Sequence, residues 1–268
     1  MARAEELRAG PGPALWLIHS STGDVACHRP LAAALGGVHR VVGIAPRGLR
    51  AGDEPPLDDL VDLARRYAAL IADAEPGVPH RVAGWALGGV VAAEVAEQLL
   101  DAGHRVDLLA VLDGRVPVPE MRARPLDRAT IALAFAHHVA RSAGRELATA
   151  AVEPTGAAVL DALRALDVAP AAWTAEDVDR RIAVMQANAR ALFHHAQRRL
   201  RVPLHLYESA AEHPAHPRPR TLGWEAHAEV IRETVPGHHF DLLAGHHIGP
   251  LAARLTTALA ALTSPRDD

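Results

Sequence analysis

The apolar and polar positions of this chain fall into short buried runs and longer amphipathic ones. Ala14 to Ile18 is an apolar run, entered through Pro11-Gly12-Pro13 and left through a polar turn, Ser20 to Asp24. A helix is predicted from there to Leu35. Arg40 to Ile44 reads as the next strand, and Asp58 to Ala74 carries apolar residues at helical spacing. Arg81 to Ala83 begins a further strand, and Val90 to Leu100 is a helical stretch. Val106 to Leu112 is almost entirely apolar, as a strand buried on both faces must be. Val202 to Tyr207 and Val230 to Val235 read as later strands, and Leu251 to Leu262 as a closing helix. Alternating helices and buried strands predict an α/β fold with a mostly parallel central sheet, covered on both faces.

One stretch breaks the alternation. Between Pro117 and Leu200 the pattern is helical at Thr130 to Arg141, Thr155 to Leu166 and Ala175 to Leu200, with Pro154 and Pro170 between the pieces. No strand is predicted there. Such a block is too long for a simple crossover and reads as an inserted helical lid. It is expected at the carboxyl ends of the strands, where open α/β sheets bind ligands. The chain therefore divides into a first core segment, residues 1–116, a lid, 117–200, and a second core segment, 201–268.

Composition narrows the function classes. A chain of 268 residues, 49% apolar and 22% charged, is ordinary globular material and can bury a large core. With 3% aromatics, Leu, Val and Ala must fill that core. All 28 basic residues are Arg, and the net charge of -4 is spread without a basic stripe, which argues against a nucleic-acid partner. A single cysteine, Cys27, excludes an internal disulfide framework and most thiolate metal sites. Its place after the first loop suggests core packing more than chemistry. No apolar run is long enough for a membrane span, and Met1 to Gly10 carries acids without an apolar core. The expectation is a cytoplasmic protein with no signal peptide and no membrane partner. Adjacent histidine pairs occur at His137-His138, His194-His195, His238-His239 and His246-His247. Helix neighbours point about 100° apart and seldom chelate one ion, so neither metal nor resident cofactor is expected. Pro214, Pro217 and Pro219 mark an exposed loop.

The chemistry is announced by Gly84-Trp85-Ala86-Leu87-Gly88-Gly89, set between a strand and a helix. Small residues two before and two after a central position are the layout of a nucleophile elbow. The centre of that motif is an attacking serine or cysteine, and here it is Ala86. Acyl transfer through a covalent intermediate also needs a base and an acid that orients it, in the chain order nucleophile, acid, histidine. Asp113 follows directly on the apolar strand Val106–Leu112. His239 lies just past the last strand, in Pro236-Gly237-His238-His239-Phe240. An oxyanion hole would use the N–H of Leu87, at the start of a helix, and an N–H in Ser20–Thr22, with Ser21 the candidate. Gly23 lets that loop turn tightly. Gly88 and Gly89 read as room for a close helix-to-strand approach.

These motifs resemble the α/β-hydrolase thioesterase domains that end nonribosomal peptide synthetase and polyketide synthase lines. The resemblance covers about residues 14–262. It rests on the elbow, on His19-Ser20-Ser21-Thr22-Gly23 after the first strand, and on Asp113. The lid, Gly223-Trp224 before the last strand, and Gly237-His238-His239-Phe240 complete it. The first loop departs from the family pattern by lacking its usual proline and one glycine. The resemblance implies release of an acyl or peptidyl chain from the phosphopantetheine thiol of a carrier protein, by hydrolysis or cyclisation. The acid at Asp113 favours the line-terminating branch. An acid in the loop beyond Tyr207, at Glu208 or Glu212, is the fallback. Two accounts of Ala86 stand open: a serine position inactivated by substitution, or a native alanine in a domain that acts without an acyl-enzyme or only binds its substrate.

Overall fold

The computed structural model describes residues 2–35, 39–148, 151–212 and 222–262. The proline-rich loop of Pro214, Pro217 and Pro219 lies outside the described residues. Seven strands form one sheet: β1 (Arg3–Arg8), β2 (Leu15–Ile18), β3 (Val41–Ala45), β4 (His80–Trp85), β5 (Val106–Leu112), β6 (Leu204–Ser209) and β7 (Val230–Val235). Their spatial order is β1-β3-β2-β4-β5-β6-β7. β1 is antiparallel to β3 and every other pairing is parallel. The helices are α1 (Arg29–Ala34), α2 (Leu60–Ala74), α3 (Leu87–Asp101), α4 (Arg128–Ser142), α5 (Gly156–Ala165), α6 (Ala175–His194) and α7 (Ile248–Ala261).

The two-residue period of the strands sorts their side chains into two cores. Trp16, Ile18, Val82, Leu109, Val111 and Leu206 face α2 and α3, meeting Leu63, Tyr67, Val91 and Leu99. Leu15, Leu17, Ala83, Leu108, Leu112 and Tyr207 face the other way, toward Leu31 of α1 and Leu251, Leu255 and Leu259 of α7. A mostly parallel sheet with helices on both faces and helices inserted after β5 is the α/β-hydrolase arrangement. The helices α4, α5 and α6 have a core of their own, in which Phe135, Leu160, Leu163, Val178 and Ile182 are buried. Asp127, Thr155 and Thr174 cap their N-termini through side-chain oxygens, the last as a full capping box with Asp177. Among the described residues no helix is long and apolar enough to cross a membrane.

Two features differ from the sequence reading. The edge strand β1 carries Arg-Ala-Glu-Glu-Leu-Arg, with no apolar alternation to betray it. It is held by backbone pairing and by ion pairs across its neighbours, Arg3 to Asp53, Arg40 to Glu6 and Arg29 to Glu5. The third lid helix stops at His194, short of the expected Leu200. Arg198 and Arg201 are drawn instead onto the acids of α3. Arg198 pairs with Glu94 and Asp101 at 3.2 and 2.9 Å, and Arg201 with Glu97 and Asp101 at 2.9 and 2.5 Å. Glu94 and Glu97 are buried, so leaving them without a cation would cost far more than the last helical turns provide.

Candidate active site

The parallel register brings the carboxyl ends of the central strands level. Ile18 lies opposite Gly84, and Trp85 opposite Leu112. The Ala86 N–H then donates to Leu112 O at 2.9 Å, and the Asp113 N–H to Tyr207 O at 2.8 Å. Three chain segments that are far apart in sequence thus leave the sheet along one edge.

Ala86 sits on the turn between β4 and α3 with φ 54° and ψ −119°. This conformation is one that L side chains rarely adopt, and holding it costs about 1–3 kcal/mol. The surrounding glycines explain how it persists. A Cβ on Gly84 would stand 2.2 Å from the Gly88 carbonyl atoms, and a Cβ on Gly88 would stand 2.7 Å from the Ile18 and His19 carbonyl oxygens. The helix therefore presses directly on the strand ends, as the glycine pattern predicts. Leu87 is the first residue of α3, where backbone N–H groups lack intrahelical acceptors.

Asp113 also has positive φ, 50°, and is fully buried. Its Oδ1 accepts from the Ser209 N–H at 2.9 Å. Its Oδ2 accepts from the Ser209 hydroxyl and from His239 Nδ1, each at 2.9 Å. Burial pushes the Asp113 pKa up, but the bonds from His239 and Ser209 outweigh it and hold the carboxyl below the usual range. An ionised carboxylate only accepts, so His239 Nδ1 is the protonated nitrogen and Nε2 carries the lone pair that a general base needs. The His239 ring lies 5.2 Å from Trp85, the neighbour of Ala86 in the elbow, and meets Phe240 edge-on at 5.1 Å. The fallback acids stand elsewhere. Glu208 pairs with Arg232 at 3.3 Å, and Glu212 is exposed.

The first loop is fixed from several sides. Ser20 N–H donates to Asp24 O at 3.2 Å and Gly23 N–H to Ser20 O at 2.9 Å, which leaves the Ser21 N–H outside the turn's own bonds. His19 is fully buried. Its Nδ1 donates to Ser20 O at 2.8 Å, and its Nε2 meets the Tyr67 hydroxyl at 2.7 Å. Burial pushes its pKa down to about 4. From above, Asn188 of α6 donates to the Ser21 carbonyl at 2.9 Å and is only 1% exposed. A Cβ on Gly23 would meet Val184 of the same helix at 2.8 Å.

Between this edge and the lid lies a cavity of about 360 Å³. Trp85, Phe240 and Leu243 line it from the core side, and His138, Trp173 and Arg181 from the lid. Burial pushes His138 down to about 4. Cys27 also lines the cavity while packing against the sheet, so its expected core role is only half of its position. Its thiol donates to Asp24 O at 3.4 Å, and burial raises its pKa far above the ordinary thiol value, which makes it inert as a nucleophile. Trp224, fully buried, donates to Gly114 O at 2.7 Å and so braces the segment behind Asp113. Among the described residues no three His, Cys, Asp or Glu side chains are grouped as a metal would require.

The sequence model of the thioesterase domain matches residues 13–259. This chain belongs to the thioesterase domain family. A dimodular nonribosomal peptide synthase of Bacillus subtilis (strain 168) is 33% identical over 105 residues, 39% of this chain and 4% of that protein. Nonribosomal peptide synthetase atrA of Aspergillus terreus is 32% identical over 152 residues, 55% of this chain and 16% of that protein. The thioesterase thus spans a small part of the length of these relatives. The Vlm2 thioesterase domain superposes with a TM-score of 0.70 at 25% identity, over 96% of this chain and 97% of that one. A holo four-domain nonribosomal peptide synthetase bound to AMP and glycine gives a TM-score of 0.86 at 23% identity, over 98% of this chain and 20% of that one. The last likeness concerns the fold alone.

Of the sequence-derived residues, Asp113 and His239 are brought into direct contact, and Ala86 and Leu87 sit on the same edge. Ser209, Asn188 and Arg181 carried no sequence signal, because their parts depend on contacts between residues far apart in the chain.

Proposed function

We propose that this thioesterase domain accepts an acyl or peptidyl chain held as a thioester on the phosphopantetheine of a carrier protein, and that Ala86 stops it short of an acyl-enzyme. The observation that carries this reading is the His239–Asp113 contact of 2.9 Å at the same sheet edge as the strained elbow. With a serine at 86, its hydroxyl oxygen would attack the thioester carbonyl while His239 Nε2 takes the proton. The Leu87 and Ser21 N–H groups would stabilise the oxyanion. The C–S bond then breaks, and the proton passes to the departing thiolate. Water or an internal hydroxyl or amine, deprotonated by His239, would attack the ester, releasing the chain and restoring the serine.

With alanine the first attack has no atom to make it. The paired His239 and Asp113 still favour a second route, in which His239 activates water directly against the bound thioester. The test compares thiol release from an acyl N-acetylcysteamine thioester by this chain and by Ala86→Ser. We expect the serine variant to be faster by up to about 10⁶-fold, the scale lost when a triad nucleophile is removed. Equal rates would establish the direct route. Absence of turnover in both would reduce the domain to a binding module.

A further inference from the structure

Arg181 stands apart from the other arginines on its helix. Arg180, its neighbour, pairs with Asp177 at 2.6 Å and Glu176 at 3.8 Å on the outer face, and Arg190 pairs with Asp58. Arg181 lines the cavity over the sheet edge, half-buried, with its guanidinium 4.4 Å above the Trp173 ring. Among the described residues no carboxylate lies within ion-pair distance of it, and no hydrogen-bond acceptor of the protein takes its N–H groups. Stacking on Trp173 covers one face of the guanidinium and fixes its orientation, so its donors are offered in the plane, into the cavity. Burial pulls its pKa below the ordinary arginine value, and Asp24 and Asp177 oppose that pull. A half-buried cation with its donors unspent is the arrangement that rewards an incoming anion, since the ligand supplies the acceptors the fold withholds.

We infer that Arg181 is a specificity-determining residue that binds a carboxylate carried by the acyl chain, seated against Trp173 and Phe240. Planar, in-plane donors suit a carboxylate held bidentately better than an ammonium or a hydrocarbon end. The cavity of about 360 Å³ lies at the small end of ligand sites, which suits a compact chain. Asp24 on the cavity wall weakens the attraction without neutralising Arg181, because no ion pair joins the two among the described residues.

This inference rests on the thioester-binding reading above. Ala86 makes it measurable at equilibrium, because the thioester is not consumed through an acyl-enzyme. The probes are N-acetylcysteamine monothioesters of dicarboxylic acids, from succinyl to suberyl, each beside its methyl-ended isostere. Binding is read by titration calorimetry. At one chain length the carboxylate probe should bind about tenfold or more tighter than its isostere, the scale of a charge-assisted hydrogen bond. Arg181→Gln should abolish that preference while leaving isostere binding intact, which also shows that the variant is folded. Asp24→Asn should strengthen the carboxylate probe. A preference that survives in Arg181→Gln, or equal binding at every length, overturns the inference and leaves the proposed function standing. Failure of every thioester to bind overturns both.

Discussion

At the base half of the site each oxygen of Asp113 is engaged, by the Ser209 backbone, the Ser209 hydroxyl and His239. At the nucleophile half the backbone is equally determined, but the side chain that it presents is a methyl group. Ala86 keeps φ 54° with nothing to gain from it. The comparison separates what builds an elbow from what uses one. The strained turn is imposed by glycines on either side and by α3 pressed onto β2 and β4, not by the residue at its apex. The base half is held by polar side chains that pair with each other. The shape of that half therefore does not depend on a reactive atom at its apex.

The largest way to break that comparison is to fill the helix-to-strand contact. Gly88→Ala places a Cβ 2.7 Å from two carbonyl oxygens that cannot withdraw. The expected loss is about 3 kcal/mol or more in chemical denaturation. A loss under about 1 kcal/mol would mean that the elbow is not set by this packing.

Acid should separate the two halves. His19 braces the first loop and is neutral when folded, with its pKa pushed from 6.5 to about 4. The unfolded chain takes up that proton near pH 6.5. The stability it confers is therefore full above pH 6.5 and is lost as pH falls toward 4, on the order of 3 kcal/mol. Asp113 has the same sense in a lower pH window. Its carboxyl is held below the usual range, so its contribution is present above the unfolded value near 3.9 and fades only as pH falls through the lower folded value. Unfolding midpoints should already drop between pH 6.5 and 4.5, and His19→Gln should flatten that drop. A His19→Gln curve parallel to the parent would contradict it.

Much of the fold was legible because it is written locally. Leu108–Leu112 is apolar throughout since both faces of β5 are covered there, and the elbow glycines lie within six residues of one another. The acid and the histidine could be placed because strand ends in a parallel sheet fall on one rim. What escaped is not local. β1 is an edge strand whose partners are arginines and acids on other segments, so no alternation marks it. The end of α6 is decided by buried acids on α3, remote in sequence. Ser209 acquires its part only because β6 lies beside β5. Asn188 meets Ser21 across most of the chain.

A smaller effect probes how the lid supports the nucleophile half. Asn188→Ala would leave the part-buried Ser21 carbonyl without its donor and should cost about 1 kcal/mol. It should also weaken thioester binding while leaving the His239–Asp113 pair intact. Unchanged stability together with unchanged binding would show the contact to be incidental.

The smallest effect tests the strain itself. Ala86→Gly admits a residue for which positive φ carries no penalty, at some cost in unfolded-chain entropy. A net gain of about 1 kcal/mol is expected in the same denaturation assay. A net loss would show that the Ala86 turn is unstrained.

The central claim is that the site lacks one atom and is otherwise assembled. Intact-mass measurement of Ala86→Ser after incubation with an acyl thioester tests it most directly, beside the double variant Ala86→Ser/His239→Gln. An adduct equal in mass to the acyl group is expected on the single variant, with loading slower by about 10³-fold or more in the double variant. A folded single variant that forms no adduct and releases no thiol, or one that loads equally well without His239, would contradict it.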